Sequence, residues 1–222
     1  MRGFMAGRQL NTNAERLHTR LYLVAPVAGD AGPFARDLAK LIQIADIAAL
    51  LVKIETASGA AETVAELAGP VQAQGSALLV ADHAGIAAQA GADGAHLAGV
   101  GALTAALPIL KPGLIAGAGG LRTRHDAMLA GEAGADYVLF GEPGADGGRP
   151  PLSAILDRVS WWVELFEIPC VAYAERLDEI GPLCAAGADF IALGDAVFAD
   201  PRGATVALRE ASERMHATEA IA

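Results

Sequence analysis

Lysine is almost missing from this 222-residue chain. There are three, and arginine brings the bases only to 16 against 26 acids, for a net charge of −10. No large positive field exists to attract a phosphate backbone or an anionic lipid surface, so nucleic-acid and membrane partners are not expected. No apolar run reaches the roughly 18 residues that a membrane-spanning helix needs. Cysteine is equally sparse: Cys170 and Cys184 are the only two. They have no zinc-type spacing and are too few for a disulfide framework. The first 19 residues carry Asn, Gln, Arg and Glu without an apolar core segment, unlike a secretory signal. The sequence therefore predicts a flexible N-terminal arm over residues 1–19 and a cytoplasmic protein with both thiols reduced. Aromatic residues make up only 5% of the chain, so its core must rely on close backbone approach more than on large side chains.

Hydrophobic residues account for 53% and charged ones for 19%, a globular composition. The tetrapeptide Ala-Gly-Ala-Asp recurs at Ala90–Asp93, Ala133–Asp136 and Ala186–Asp189. Each copy follows a helix-like stretch and precedes a short apolar run. The glycine suits the left-handed residue that ends a helix, and the run suits a buried parallel strand. The same rhythm extends along the chain. Strands are predicted at Leu21–Val24, Ala48–Lys53, Ala77–Ala81, Gly94–Leu97, Gly113–Ala116, Tyr137–Phe140, Cys170–Tyr173 and Phe190–Leu193. Helices are predicted at Gly32–Ile42, Ala60–Ala73, Ala84–Ala90, Gly101–Leu110, Thr123–Ala133, Ser153–Phe166, Arg176–Ala186 and Gly203–His216. Eight strand–helix units in about 195 residues make a compact α/β fold, a single-domain (β/α)8 TIM barrel over 20–216, with a tail at 217–222. An open doubly wound sheet is the alternative, but the first turn lacks its glycine fingerprint.

Active sites of such barrels lie at the C-terminal ends of the strands. Lys53 ends the second strand, where it serves as an anion contact or nucleophilic amine, or pairs with Glu55 on the rim. Asp82 and His83 end the third strand. They could bind a hard metal or manage a proton, and Asp82 also fits the N-cap of the next helix. Gly119 and Gly120, with Arg122 after them, suit an anion cradle or simply a tight turn. Gly141 and Glu142 open a Gly- and Pro-rich stretch running to Gly148, which suits a lid or a plain connection. His96, inside the fourth strand, is expected to be a hydrogen-bonded core residue. Of Trp161 and Trp162, one is expected on the barrel and the other towards a partner subunit.

Val80 to His83, Ala92 to Leu97, Gly134 to Val138 with Gly141, and Gly187 to Asp189 continuing through Ala196–Phe198 to Asp200–Pro201 together resemble the thiamine phosphate synthase family, including its thiazole tautomerase branch. The resemblance covers about Arg20 to Ala211 and keeps the order of all eight units. It implies a (β/α)8 barrel, usually a homodimer. The family's reaction joins hydroxymethylpyrimidine diphosphate to thiazole phosphate, with Mg²⁺ helping diphosphate leave.

The departures lie at the strand ends. Where the family grips diphosphate with Gln-x-Arg-x-Lys, this chain has Leu51, Lys53 and Glu55. Of the family's Mg²⁺ ligands, Asp82 remains, while Ala98–Gly101 offers no second acid, so any Mg²⁺ site is weakened. The family's Ser-x-His corresponds to about Gly120–Arg122. Where it binds phosphate with a Gly-Gly turn and a Ser-bearing helix start, this chain has Ala174-Glu175 and Gly194-Asp195. Two carboxylates about 5 Å apart repel by roughly 3 kcal/mol at an effective dielectric near 20, and neither welcomes a dianion. The expectation is that Glu175 and Asp195 fill the old phosphate site. Three functions stay open. One is the family's coupling reaction. The second is altered acid–base chemistry on a less anionic small molecule, using Asp82, His83, Glu142 and Glu175. The third is a non-catalytic binding or assembly barrel.

Overall fold

The computed structural model of the chain describes residues 18–27, 31–54, 59–144 and 147–219. Eight strands follow one another around a closed barrel, each parallel to its neighbours. They are β1 (Arg20–Val27), β2 (Ile47–Ile54), β3 (Ala77–Ala81), β4 (Gly94–Ala98), β5 (Ile115–Gly119), β6 (Tyr137–Phe140), β7 (Cys170–Ala174) and β8 (Phe190–Leu193). Between them lie α1 (Ala31–Ile42), α2 (Ala60–Gln72), α3 (Ala84–Ala90), α4 (Val100–Leu110), α5 (Arg124–Ala133), α6 (Leu152–Leu165) and α7 (Ile180–Ala185). After β8 come α8 (Asp195–Phe198) and α9 (Ala204–Glu219).

Strand alternation divides the apolar residues into two sets. Leu21, Leu23 and Ala25 of β1 belong to the layer between sheet and helices. Tyr22 and Val24 join Leu51, Leu79, Leu139 and Val171 inside the barrel. None of these is more than 5% exposed.

The repeated tetrapeptide has a mechanical role. Gly91, Gly134 and Gly187 take φ of 76°, 107° and 95°, a conformation that disfavours a Cβ. The aspartates two residues later then reach the preceding strand. Asp93 Oδ2 accepts the Leu78 amide at 2.8 Å, Asp136 Oδ2 the Ala116 amide at 2.7 Å, and Asp189 Oδ2 the Cys170 amide at 2.9 Å. Each pins an even-numbered strand to its predecessor at the end opposite the site. Asp136 also pairs with Lys111. Asp136→Ala should therefore lower stability by about 1–3 kcal/mol, since it leaves the Ala116 amide without its acceptor. Urea denaturation tests this, and a loss below about 0.5 kcal/mol would refute it.

Some boundaries differ from expectation. β5 begins at Ile115 and runs through Gly119, so Gly117–Gly119 form strand rather than loop. The seventh helix is shorter than predicted and opens with a 3₁₀ turn at Leu177–Glu179. The short α8 was not anticipated, and α9 carries helix into the expected 217–222 tail as far as Glu219. Most of the N-terminal arm, together with Glu55, Asp146 and residues 220–222, lies outside the described residues. Trp162 is fully buried and its Nε1 donates to the Ile168 carbonyl at 2.7 Å. Trp161 is half-buried, with the Arg124 guanidinium 4.9 Å over its ring. Cys170 and Cys184 are both buried. Among the described residues, no helix is long and apolar enough to cross a membrane.

Candidate functional site

The barrel interior ends in a polar chain. Tyr22 of β1 and Tyr137 of β6 share a hydrogen bond between hydroxyls, 2.8 Å apart, and the Tyr137 hydroxyl lies 2.9 Å from His96 Nδ1 on β4. The His96 and Tyr137 rings stack with centroids 5.7 Å apart. Gly117 of β5 makes room for this, because a β-carbon there would overlap the Tyr137 ring. At Gly119 a β-carbon would overlap both His96 Nε2 and Glu142 Oε1, so these two atoms converge where that residue has no side chain.

Glu142 follows β6 and reaches the end of the neighbouring strand β5, where its Oε1 accepts the Gly120 amide. Burial raises its pKa, while the Gly120 amide, its own amide and the charges of Lys53 and Arg158 pull it back. His96 is shifted the other way, down to about 4. Burial disfavours its cation, Asp82 partly offsets this, and Lys53 adds to it. Near neutral pH the imidazole is uncharged. The expectation of a hydrogen-bonded core histidine holds, but that core position borders the site.

Asp82 is not the helix cap that was expected. Its Oδ1 accepts the Ala98 amide at 2.8 Å and its own amide donates to the His96 carbonyl at 2.8 Å, so it joins β3 to β4. The N-cap of α3 is His83, which makes no side-chain cap bond. Asp82 takes φ of 55°, the one non-glycine residue among those described in the left-handed region. Such strain persists only where the surroundings hold it, and it commonly marks a site. Among the described residues no three His, Cys, Asp or Glu side chains gather where they could hold a metal ion. A single carboxylate with one oxygen engaged does not fit a resident Mg²⁺, which would need substrate phosphates to complete its shell.

Lys53 stands exposed at the end of β2, and its charge acts on both His96 and Glu142. Lys53, Asp82, Gly119, Gly120 and Glu142 are thus brought together. Gly141 starts the loop that carries Glu142. Its β-carbon would come within 2.7 Å of Ile155 Cδ1, so it lets β6 leave the barrel close to α6. His83 and Arg122 are exposed on the rim, outside the contacts that build the cluster. At Arg122 it is the carbonyl that is used, accepting Arg158 at 3.0 Å.

In many barrels the loops after the seventh and eighth strands and a short extra helix hold phosphate. Here Tyr173 of β7 occupies that corner. A β-carbon on Gly194 would lie 2.6 Å from the Tyr173 hydroxyl. Burial raises the pKa of this hydroxyl, as do the charges of Asp195 and Glu175, against Arg149. Glu175 and Asp195 do not fill the position expected of them. Asp195 is exposed at the first position of α8. Glu175 is drawn to Arg149, whose Nη1 lies 3.0 Å from Glu175 Oε2 and 2.9 Å from Glu179 Oε2. Arg149 Nη2 donates to the Tyr173 carbonyl at 3.3 Å, and its Nε is buried without a partner. Both carboxylates instead line an open groove with Arg176, Asp200 and Arg202.

Tyr22, Tyr137, Tyr173, Arg149, Arg158 and Glu179 were missed as site residues. Strand alternation could have aimed the three tyrosines inward, and a buried hydroxyl needs a partner. No local signal marks the arginines.

The model of the thiamine monophosphate synthase family matches residues 21–197. A thiamine-phosphate synthase of Rhodospirillum centenum is 35% identical over 86% of this chain and 95% of its own length. One of Hyphomonas neptunium is 34% identical over 90% and 95%. Thiamine phosphate pyrophosphorylase from Pyrococcus furiosus superposes with a TM-score of 0.74, covering 91% of this chain and 98% of its own, at 22% identity, which speaks for the fold. With a family match spanning most of the barrel and relatives at 34–35% identity over most of the chain, the chain belongs to the thiamine monophosphate synthase family.

Proposed function

We propose that this family member binds a small molecule of low negative charge at the barrel mouth and performs proton transfer there, the family's diphosphate and phosphate sites being largely lost. The observation that carries this reading is the Tyr173 hydroxyl set against Gly194. A phosphate would have to displace a buried aromatic ring to reach that turn. Arg149, whose charge acts on the Tyr173 hydroxyl, is already held by Glu175 and Glu179. At the mouth, burial raises the pKa of Glu142, the direction that suits a carboxyl group acting as a proton donor. His96 stays neutral beside it, with Nδ1 on the Tyr137 hydroxyl, so its ring orientation is fixed. Lys53 supplies the positive charge that would steady a developing anion on the ligand.

A second reading keeps the family's coupling of hydroxymethylpyrimidine diphosphate to thiazole phosphate. It is favoured by the 35% and 34% identity to proteins named thiamine-phosphate synthase and by Lys53 and Asp82 at matching positions. One assay separates the two. Purified protein is incubated with Mg²⁺ and both precursors, and thiamine phosphate is followed by chromatography. No product above background is expected, with no calorimetric binding of thiazole phosphate. Turnover near 1 s⁻¹, at the low end of ordinary enzymes, would establish the second reading instead.

A further inference from the structure

Glu142 is placed as a ligand would be. Its carboxylate comes from the segment after β6 and ends against the backbone amide of Gly120, just past the neighbouring strand β5. It sits where Gly119 leaves space, beside His96 Nε2, within the fields of Lys53 and Arg158. None of these groups needs Glu142 to hold the fold. The Gly120 amide is exposed enough to be hydrated, His96 is anchored by Tyr137, and Arg158 is anchored by the Leu121 and Arg122 carbonyls at 2.8 and 3.0 Å.

We infer that the mouth contains a carboxylate-binding subsite, formed by the Gly120 amide, His96 Nε2 and the Lys53 charge, which Glu142 occupies from within the chain and a free carboxylate ligand enters by displacing it. This deepens the function proposed above, since it names the ligand's chemical class, a small monocarboxylate.

If Tyr22 donates to Tyr137 and Tyr137 donates to His96 Nδ1, the imidazole proton lies on Nε2 and faces the subsite. A monocarboxylate then finds two N–H donors and a nearby cation, a set that fits one planar anionic group. It would not fit a diphosphate, whose several charges would face a single lysine. The tether sets the cost to a ligand. If Glu142 holds the subsite in nine molecules of ten, a free carboxylate binds about tenfold more weakly than it would to the open subsite.

The probe is acetate, with acetamide as the uncharged control. By calorimetry or by NMR titration, Glu142→Ala should bind acetate at least tenfold more tightly than the parent. Glu142→Gln, which keeps the occupant's shape, should gain less than threefold. Adding Lys53→Ala to Glu142→Ala should abolish the gain, and acetamide should not bind. If Glu142→Ala does not fold, the parent itself decides. High acetate should shift the Gly120 amide and His96 ring signals, and acetamide should leave them in place. Equal affinity in Glu142→Ala and parent, equal response to acetamide, or unmoved Gly120 and His96 signals would overturn the inference. Precursor coupling by the parent would end the function proposed above but leave this result standing, because the titration reads binding alone.

Discussion

Tyr173→Ala should give the barrel a phosphate site, binding inorganic phosphate and thiazole phosphate at least tenfold more tightly than the parent. The ring hydroxyl lies against Gly194 at the corner formed by β7, β8 and α8, where barrels of this class often hold phosphate. Removing the ring clears that space and keeps the glycine's close backbone approach. Adding Glu175→Gly should strengthen the effect, because it releases one of the carboxylates that hold Arg149. Adding Asp195→Ser should help further by removing an exposed like charge from the rim. Tyr173 is 8% exposed, so truncating it costs about 3–5 kcal/mol of stability. Calorimetry is therefore done well below the melting temperature, with circular dichroism to confirm the fold. Tyr173→Phe, which removes only the hydroxyl, should gain little. A folded Tyr173→Ala protein that binds phosphate no better than the parent would end the idea that this ring excludes it.

Acid should weaken the fold through His96 by about 3 kcal/mol, taking its pKa as about 4 when folded and 6.5 when unfolded. The folded protein holds the imidazole neutral. Below about pH 6.5 the unfolded chain takes up a proton that the folded one refuses. The stability contribution is thus complete above pH 6.5 and is lost progressively as pH falls to about 4. The groups facing the ring are the Tyr137 hydroxyl, Glu142, Asp82 and Lys53. Asp82 opposes the shift and Lys53 reinforces it. Glu142 contributes with the opposite sign. Its raised folded pKa gives stability that is complete below the unfolded value and fades as pH rises. Urea denaturation at pH 7 and pH 4.5 should show the loss, and His96→Gln should reduce it. Should that variant fail to fold, an NMR titration of His96 in the parent decides. An imidazole that protonates near pH 6.5 would refute the prediction.

The order of elements was legible because its signals are local. The tetrapeptide repeat marks three helix-to-strand turns, and short apolar runs bounded by turn residues mark the strands. β5 was placed too early for a related reason. Glycine favours turns, so Gly117–Gly119 looked like loop. In the barrel the same glycines make room for the Tyr137 ring and for His96 with Glu142. That demand comes from other strands and leaves no trace in the neighbouring sequence. Asp82 shows a similar limit. Its place before α3 suits a cap, yet its carboxylate accepts the Ala98 amide on the next strand.

From the amino-acid order alone follow the eight-stranded barrel, the end at which its site lies, the family resemblance, and the nearness of Lys53, Asp82 and Glu142 to that end. These depend on periodicity and turn chemistry, which act between residues a few positions apart. Only the tertiary structure decided that Glu142 lies on Gly120, that Tyr173 rather than Glu175 or Asp195 abuts Gly194, and that Arg149 binds Glu175 and Glu179. Those contacts join residues roughly 20 to 30 positions apart, where the outcome is set by which partners can pair the charges and hydrogen-bonding groups that lose water once the barrel has closed.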